Sequence, residues 1–464
     1  MTNPVLDLLA LATGPDTTAI IDTQGALTRG ALLPLIEERT QQILQAVPAN
    51  RRLGLRDTRD RWSIVNLLAA FAAERSIVML PTDEETGLLR AAGASCCELI
   101  LAGDHFIERS WELNDDPHRD PRLGVETVGS NEALVLFTSG TTSEPRGVRI
   151  SARNLAVNLT AMLRLTRPWT TSDRFGMVLA LTHSFGLSMV LMSLARQCPI
   201  VILEGGLPSR AVTEAADVHR VSILGCVPYY LRLVGRRGLS LGSSFAPHLR
   251  TLFLAGGGVG DDERAKVLAD FHGETYLMYG FTEATARVAL RRDGDGAPPN
   301  SVGLPLPGTS VEIVTDDGVP TPVGQIGVIR VSSPSLMLGY LGEEPRLAGS
   351  PWTTTDLGFV DHAGNLFITG RKAEMLNFRG NRVSAVAVEA TVASIAGVKD
   401  ARLVPDGRDE DSQCALHIIA NDHADHRQLR REILRVVSPR GLVRELTFVD
   451  HLDFTRSGKP LRRA

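Results

Sequence analysis

Short apolar runs that alternate with helical stretches constrain this chain more than any other feature. Residues 19–21, 53–55, 76–81 and 99–101 are apolar and of strand length, and residues 28–44 and 62–73 between them have helical spacing. Thr28 stands where a helix N-cap belongs. Further along, residues 152–165 read as a helix, and 133–137, 175–181, 199–203, 221–227 and 251–255 read as buried strands. Such alternation joins parallel strands by crossover helices, so the expected class is α/β with doubly wound layers. At 464 residues the chain is too long for one core and calls for several folding units.

The densest signal for a ligand is the loop after 133–137. Thr138, Ser139, Gly140, Thr141, Thr142 and Ser143 are six small residues in a row, and Pro145, Arg146 and Gly147 close the turn. Small side chains let backbone N–H groups face a ligand, the hydroxyls add donors, and a guanidinium suits phosphate. An ordinary Ser/Thr/Gly turn is the competing reading. A Walker A loop is excluded, because Gly147 precedes Val148 and no lysine follows it.

Other stretches add weaker signals. His183 follows the 175–181 run, at the strand end where open α/β sheets bind ligands, though a structural histidine reads equally well. Gly256, Gly257 and Gly258 follow the 251–255 run and permit close backbone approach, as a plain turn also would. Tyr279, Gly280, Phe281, Thr282 and Glu283 place an aromatic ring, a hydroxyl and a carboxylate within five residues. The ring suits stacking on a base and the carboxylate suits magnesium, while Thr282 capping a helix is the bland alternative. Residues 309–370 read as short strands with turns at Asp317-Gly318 and Gly364-Asn365. Residues 401–404 and 415–420 read as strands, and 386–395 and 427–437 as helices.

Charge and composition narrow the class. A net charge of −4 and a pI near 6.3 offer no basic surface for nucleic acid or membrane. No apolar run reaches transmembrane length, and MTNPVLDLLALATGPD lacks the basic start of a secretory signal. The five cysteines are scattered without metal spacing, so a cytoplasmic setting is expected. Lysine is rare against arginine: only Lys266, Lys372, Lys399 and Lys459 occur, which gives each of them weight.

Taken together, the motifs resemble those of the adenylate-forming superfamily, which contains acyl-CoA synthetases, peptide-synthetase adenylation domains and luciferases. Its phosphate loop reads T-S-G-S/T-T-G-x-P-K-G-V, against T-S-G-T-T-S-E-P-R-G-V here, so Ser143 replaces glycine and Arg146 replaces lysine. The Y-G-x-T-E motif is complete at residues 279–283, and the Ala284-Thr285-Ala286-Arg287 that follows resembles the acyl-activating branch. Asp356 in WTTTDLG takes the place of the ribose-binding aspartate. Arg371 and Glu374 match the G-R-x-K-D hinge, with Ala373 replacing its lysine. Gly380 matches the glycine beside the thiol tunnel, and Phe454 to Arg463 resembles T-x-S/T-G-K-x-x-R with Lys459 as its lysine. The hinge departs furthest from the family pattern, which bears on the second half-reaction more than on the first.

The resemblance spans nearly the whole chain and implies a fold and an activity. The fold is a large core, residues 1–373, of stacked doubly wound α/β subdomains with a small distorted β-barrel, then a small α+β lid, residues 374–464. The activity is ATP-dependent formation of an acyl-adenylate with release of pyrophosphate, then transfer to the thiol of CoA or of a phosphopantetheine carrier protein. Lys459, Thr282 and Glu283 would be catalytic, Glu283 also holding Mg²⁺. Thr138, Ser139, Gly140, Thr141, Thr142, Arg146, Gly257, Gly258, Tyr279, Gly280, Asp356 and Arg371 would bind ATP. His183, Phe185, Val227, Tyr229, Gly257 and Tyr279 would wall the acid, a mixed lining that suits a medium aliphatic or aromatic acid. No aspartate stands near 183–186 to pair an ammonium, which disfavours α-amino acids. A carrier protein is expected as partner besides the small acid, with the chain a monomer or homodimer. Adenylation of nitrite, a luciferase-like oxygenase and a degenerate nucleotide binder are the alternatives.

Overall fold

A computed structural model of the chain describes residues 3–9, 14–80, 97–108, 131–138, 146–204, 209–228, 230–231, 234, 247–256, 264–265, 267–372, 375–378, 381–393, 395–405, 413–421 and 423–452. These form two compact units: Met1–Ala297 with Gly303–Ser310 and Ser332–Pro351, and Pro298–Val302 with Val311–Val331 and Trp352–Ala464.

The first unit is built on two sheets of the expected doubly wound kind. One has nine strands in the spatial order Leu304–Pro305, Ala289–Arg292, Glu274–Tyr279, Thr251–Leu254, Ile223–Cys226, Phe175–Met177, Ile200–Ile202, Thr18–Asp22, Gly25–Thr28. Its six middle strands from Glu274–Tyr279 to Thr18–Asp22 run parallel, and the outer ones are antiparallel. The other sheet runs Gly339–Tyr340, Gly147–Ser151, Glu132–Phe137, Ile77–Leu80, Arg52–Arg56, Cys97–Ala102, His105–Glu108. Helix Arg61–Ala72 packs on strands of both sheets, and residues 63–71 are buried on every side.

Local signals set several boundaries. Thr28 caps helix Arg29–Ala46 by accepting from Ala31 N at 3.2 Å, and Asp60 caps Arg61–Ala72. Ser151 and Asn154 form a reciprocal capping box on Ala152–Leu165, the span that the sequence predicts. The expected strand over 175–181 stops at Met177. Val178 O instead accepts from Arg59 Nη2 at 2.7 Å, and Leu181 N donates to Asp57 Oδ2 at 2.6 Å. Side chains have replaced strand partners there, and the chain turns away into helix Ser184–Ala195.

The second unit holds a four-stranded sheet, Ser310–Val314, Gly327–Ser332, Trp352–Val360, Leu366–Arg371, and a hairpin of Met375–Phe378 with Asn381–Ser384. It ends in a three-stranded sheet, Val398–Pro405, Cys414–Ala420, Val443–Phe448, with helices Ala385–Ala393 and His426–Val436 sharing its apolar core. Among the described residues, no helix is long and apolar enough to cross a membrane.

One buried carboxylate ties four neighbouring strands of the seven-stranded sheet. Glu132 accepts from Arg52 Nε at 2.7 Å and Nη2 at 3.0 Å, from Arg149 Nε at 2.8 Å and from Ser76 Oγ at 2.6 Å. Burial opposes its ionisation, but the hydrogen bonds and charge of Arg52, with Ser76 and Arg149, outweigh burial and hold the carboxyl below its ordinary value. Glu132→Ala removes the carboxylate that two buried guanidiniums, those of Arg52 and Arg149, share. It is expected to lower the unfolding free energy by about 3–5 kcal/mol, read by urea denaturation at neutral pH. A depressed carboxyl contributes fully above its unfolded value and loses that contribution as pH falls through the folded one. Wild type should therefore shed this stability below the ordinary glutamate value of 4.5, and the variant should show a flatter acid limb. Parallel acid limbs in the two proteins would remove the cluster from that account.

Candidate active site

The segment leaving strand Phe175–Met177 carries two of the expected pocket residues. Asp57, 2% exposed, anchors it through Leu181 N, and burial raises the Asp57 carboxyl although Leu181, Arg59 and Ser63 oppose that shift. A tight turn follows, with His183 N donating to Ala180 O at 3.2 Å. His183 then starts helix Ser184–Ala195 as its N-cap, six residues beyond the strand and not at its end. Gly186 is required here, because a Cβ would lie 2.2 Å from Ala180 O. Phe185 faces Gly225 of the neighbouring strand, whose added Cβ would come within 3.4 Å of the Phe185 ring. Val227 lies beyond that strand, packed on Gly256, which adopts φ +88 and opens the glycine run.

The Y-G-F-T-E stretch leaves the sheet at Tyr279, which is 8% exposed, with the Phe281 ring 5.9 Å from its own. Thr282 caps no α-helix. Residues Thr282–Ala284 make one 3-10 turn, after which Thr285 (φ +58) and Ala286 (φ +100) take left-handed backbone. Both are strained for residues with a Cβ. Ala286 O closes onto Gly280, where a Cβ would meet it at 1.8 Å. Thr285 Oγ1 donates to Ser335 O at 2.6 Å and fastens the turn.

The ends of the phosphate-type loop are pinned together. Thr138 N donates to Arg146 O at 3.0 Å, and Arg146 N donates to Thr138 Oγ1 at 3.3 Å. The Arg146 guanidinium pairs with Glu343 at 2.5 Å and lies 3.4 Å over the Tyr340 ring. Tyr340 Oη in turn donates to Glu283 Oε1 at 2.6 Å. Burial first, then the Glu283 charge, push the Tyr340 phenol up, so it stays a proton donor at neutral pH. Tyr340 and Glu343 were not legible as site residues. Their one sequence signal is that tyrosine is rare, with five in the chain.

In the second unit Asp356 is 7% exposed and accepts from Arg371 Nε at 2.9 Å, its cross-strand neighbour. Ser139, Gly140, Thr141, Thr142, Tyr229, Gly257, Gly258, Glu374, Gly380 and Lys459 lie outside the described residues. The donor set around Glu283 fits a hydrated magnesium ion. Among the described residues no three His, Cys, Asp or Glu side chains gather into a cage; a single carboxylate such as that of Glu283, with phosphate and water oxygens, is a ligand set that magnesium accepts.

The family model for AMP-binding enzymes matches residues 47–341. Feruloyl-CoA synthase from an Amycolatopsis species is 28% identical over 430 residues, covering 90% of this chain and 82% of that protein. The 2-succinylbenzoate–CoA ligase of Enterococcus faecalis is 24% identical over 451 residues, covering 90% and 88%. The o-succinylbenzoate CoA synthetase of Bacillus subtilis, solved with ATP and magnesium ion, has the same fold at a TM-score of 0.80 and 19% identity, over 100% of this chain and 98% of that one. The chain belongs to the AMP-binding enzyme family.

Proposed function

We propose that this chain activates a carboxylic acid with MgATP and passes the acyl group to the thiol of coenzyme A. The observation that carries the reading is the continuous contact from the phosphate-loop cation to the candidate metal ligand, Arg146 on Tyr340 and Tyr340 on Glu283. In the first step an oxygen of the acid attacks the α-phosphorus, the bond to the bridging oxygen breaks, and pyrophosphate leaves with the electron pair. In the second a thiolate attacks the acyl carbon and AMP leaves. Little covalent work falls to the protein, so its residues position groups and balance charge.

Thr282 donates to the α-phosphate, Glu283 holds magnesium, and residues 138–146 take the departing pyrophosphate. Magnesium, when bound, offsets charge on the phosphates. Tyr279 and the glycines 257–258 sandwich the adenine, and Asp356, aligned by Arg371, takes the ribose hydroxyls. His183, Phe185, Val227 and Tyr229 enclose the acid. Lys459 bridges the attacking carboxylate and the α-phosphate, then gives way as the 374–464 lid turns at Glu374 and brings the Gly380 thiol tunnel into place. The two relatives described above are named a CoA synthase and a CoA ligase, which supports coenzyme A as acceptor over a carrier protein and a carboxylic acid over nitrite.

Acid-dependent pyrophosphate release from MgATP, measured across a panel of acids with nitrite included, tests the first step. Faster turnover and a new thioester on adding CoA test the second. Lys459→Ala is expected to reduce pyrophosphate release by at least about a hundredfold with ATP binding kept. An unchanged rate would take Lys459 out of the first step, whereas no acid-dependent release from wild type that still binds ATP would return the chain to the non-catalytic binders. Tyr340→Phe keeps the ring under Arg146 and removes the hydrogen bond to Glu283. The magnesium concentration for half-maximal rate should rise by about tenfold, with kcat at saturating magnesium little changed. A loss of kcat with an unmoved magnesium curve would mean that Tyr340 serves only the fold.

A further inference from the structure

Immediately after the strained pair Thr285 and Ala286, Arg287 turns its side chain into the protein, where it is 2% exposed. The guanidinium lies between strand Glu274–Tyr279 and helix Ser184–Ala195. Its polar contacts are two thioethers, Nε to Met278 Sδ at 3.2 Å and Nη2 to Met189 Sδ at 3.1 Å, and Nη1 has no hydrogen-bond partner. Phe185 lies under it, 5.9 Å from ring centroid to guanidinium carbon. Thioether sulfur is a weak acceptor, so five donors and a full charge are close to unmet. Burial alone pushes the group down to about 9, with no acidic neighbour contributing, and it remains charged at neutral pH.

An unpaired buried cation is among the costliest things a fold can carry. Here further features keep it in place. The left-handed turn aims Arg287 inward, Thr285 pins that turn to Ser335, and Asn158 Nδ2 holds the Arg287 carbonyl at 2.8 Å. Gly225 meanwhile leaves the wall opposite without a side chain beside Phe185 and Met189. Phe185 and the 279–283 stretch are the acid-side elements of the activation reading, on which this inference rests.

We propose that Arg287 receives a second anionic group at the far end of the acid, so that the chain activates dicarboxylic acids with the distal carboxylate paired to this guanidinium. A carboxylate would supply the acceptors that the two methionines do not, and a planar pair with arginine would fix which end of the diacid reacts.

The test compares matched acids by kcat/KM for pyrophosphate release. Linear diacids from malonate to suberate are set against monoacids of the same length, and the phthalate isomers against the corresponding toluates. Wild type should favour a diacid over its match by at least about a hundredfold. Arg287→Met should erase or invert that preference while ATP binding persists, and Arg287→Lys should keep part of it. Wild type that prefers the monoacids, or an Arg287→Met protein with the wild-type ratio, overturns the inference and leaves acid activation standing. If Arg287→Met does not fold, the wild-type ratio and the Lys variant decide. Pyrophosphate release with no acid of either series, from protein that binds ATP, defeats the activation reading and this inference with it.

Discussion

The seven-stranded sheet depends on a single buried carboxylate. Glu132 begins the strand that ends in the phosphate-type loop, and its four hydrogen bonds come from Arg52 and Arg149 on nearby strands and from Ser76, just before strand Ile77–Leu80. Arg52 reaches it across the intervening strand Ile77–Leu80. The register of four strands is thus fixed at one end by charge, and the loop at the other end, roughly 20 Å away, is closed by Thr138 and Arg146. A one-residue slip would turn Glu132 to the opposite face and leave both arginines buried without it.

Site segments in the first unit are placed by contacts that cost the backbone its regular partners. Asp57 and Arg59 take over the hydrogen bonds of Val178 and Leu181, so the chain leaves the sheet early and delivers His183 and Phe185 at the head of a helix. Gly280 yields to Ala286 in the same way, and the two left-handed residues follow from that close approach. Irregular backbone of this sort persists where surrounding contacts over-determine it, as Ser335 and Asn158 do here.

What was legible in the sequence follows from the range of the forces involved. Thr28, and the helix 152–165 behind Ser151, are settled by residues within a turn of each other, and the structure has them where the sequence puts them. The end of strand 175–177 is settled by Asp57 and Arg59, more than a hundred residues away, and no local pattern carries that. Helix Ser184–Ala195 is buried almost all round, so it lacks the one-sided spacing that marks a helix. Thr282 looks like a helix cap, yet the turn pinned by Ser335 stops the helix after three residues. The motif positions Thr282, Glu283 and Arg146 stood out through their residue types, whereas Tyr340, which joins Glu283 to Arg146, belongs to a distant strand and has meaning only through pairing with Gly147–Ser151.

The Arg146–Glu343 pair has a consequence for how an anion is received. Both side chains are about half exposed, 45% and 54%, so their attraction is worth at most about 1 kcal/mol. An arriving polyanion that takes Glu343's place gives up less than about tenfold in affinity by the exchange. Until then the neutralised guanidinium sits over the Tyr340 ring, 3.4 Å from its centroid. The ion pair thus holds Arg146 over the ring at low cost, and an exposed guanidinium held so weakly can exchange its carboxylate for a more highly charged anion.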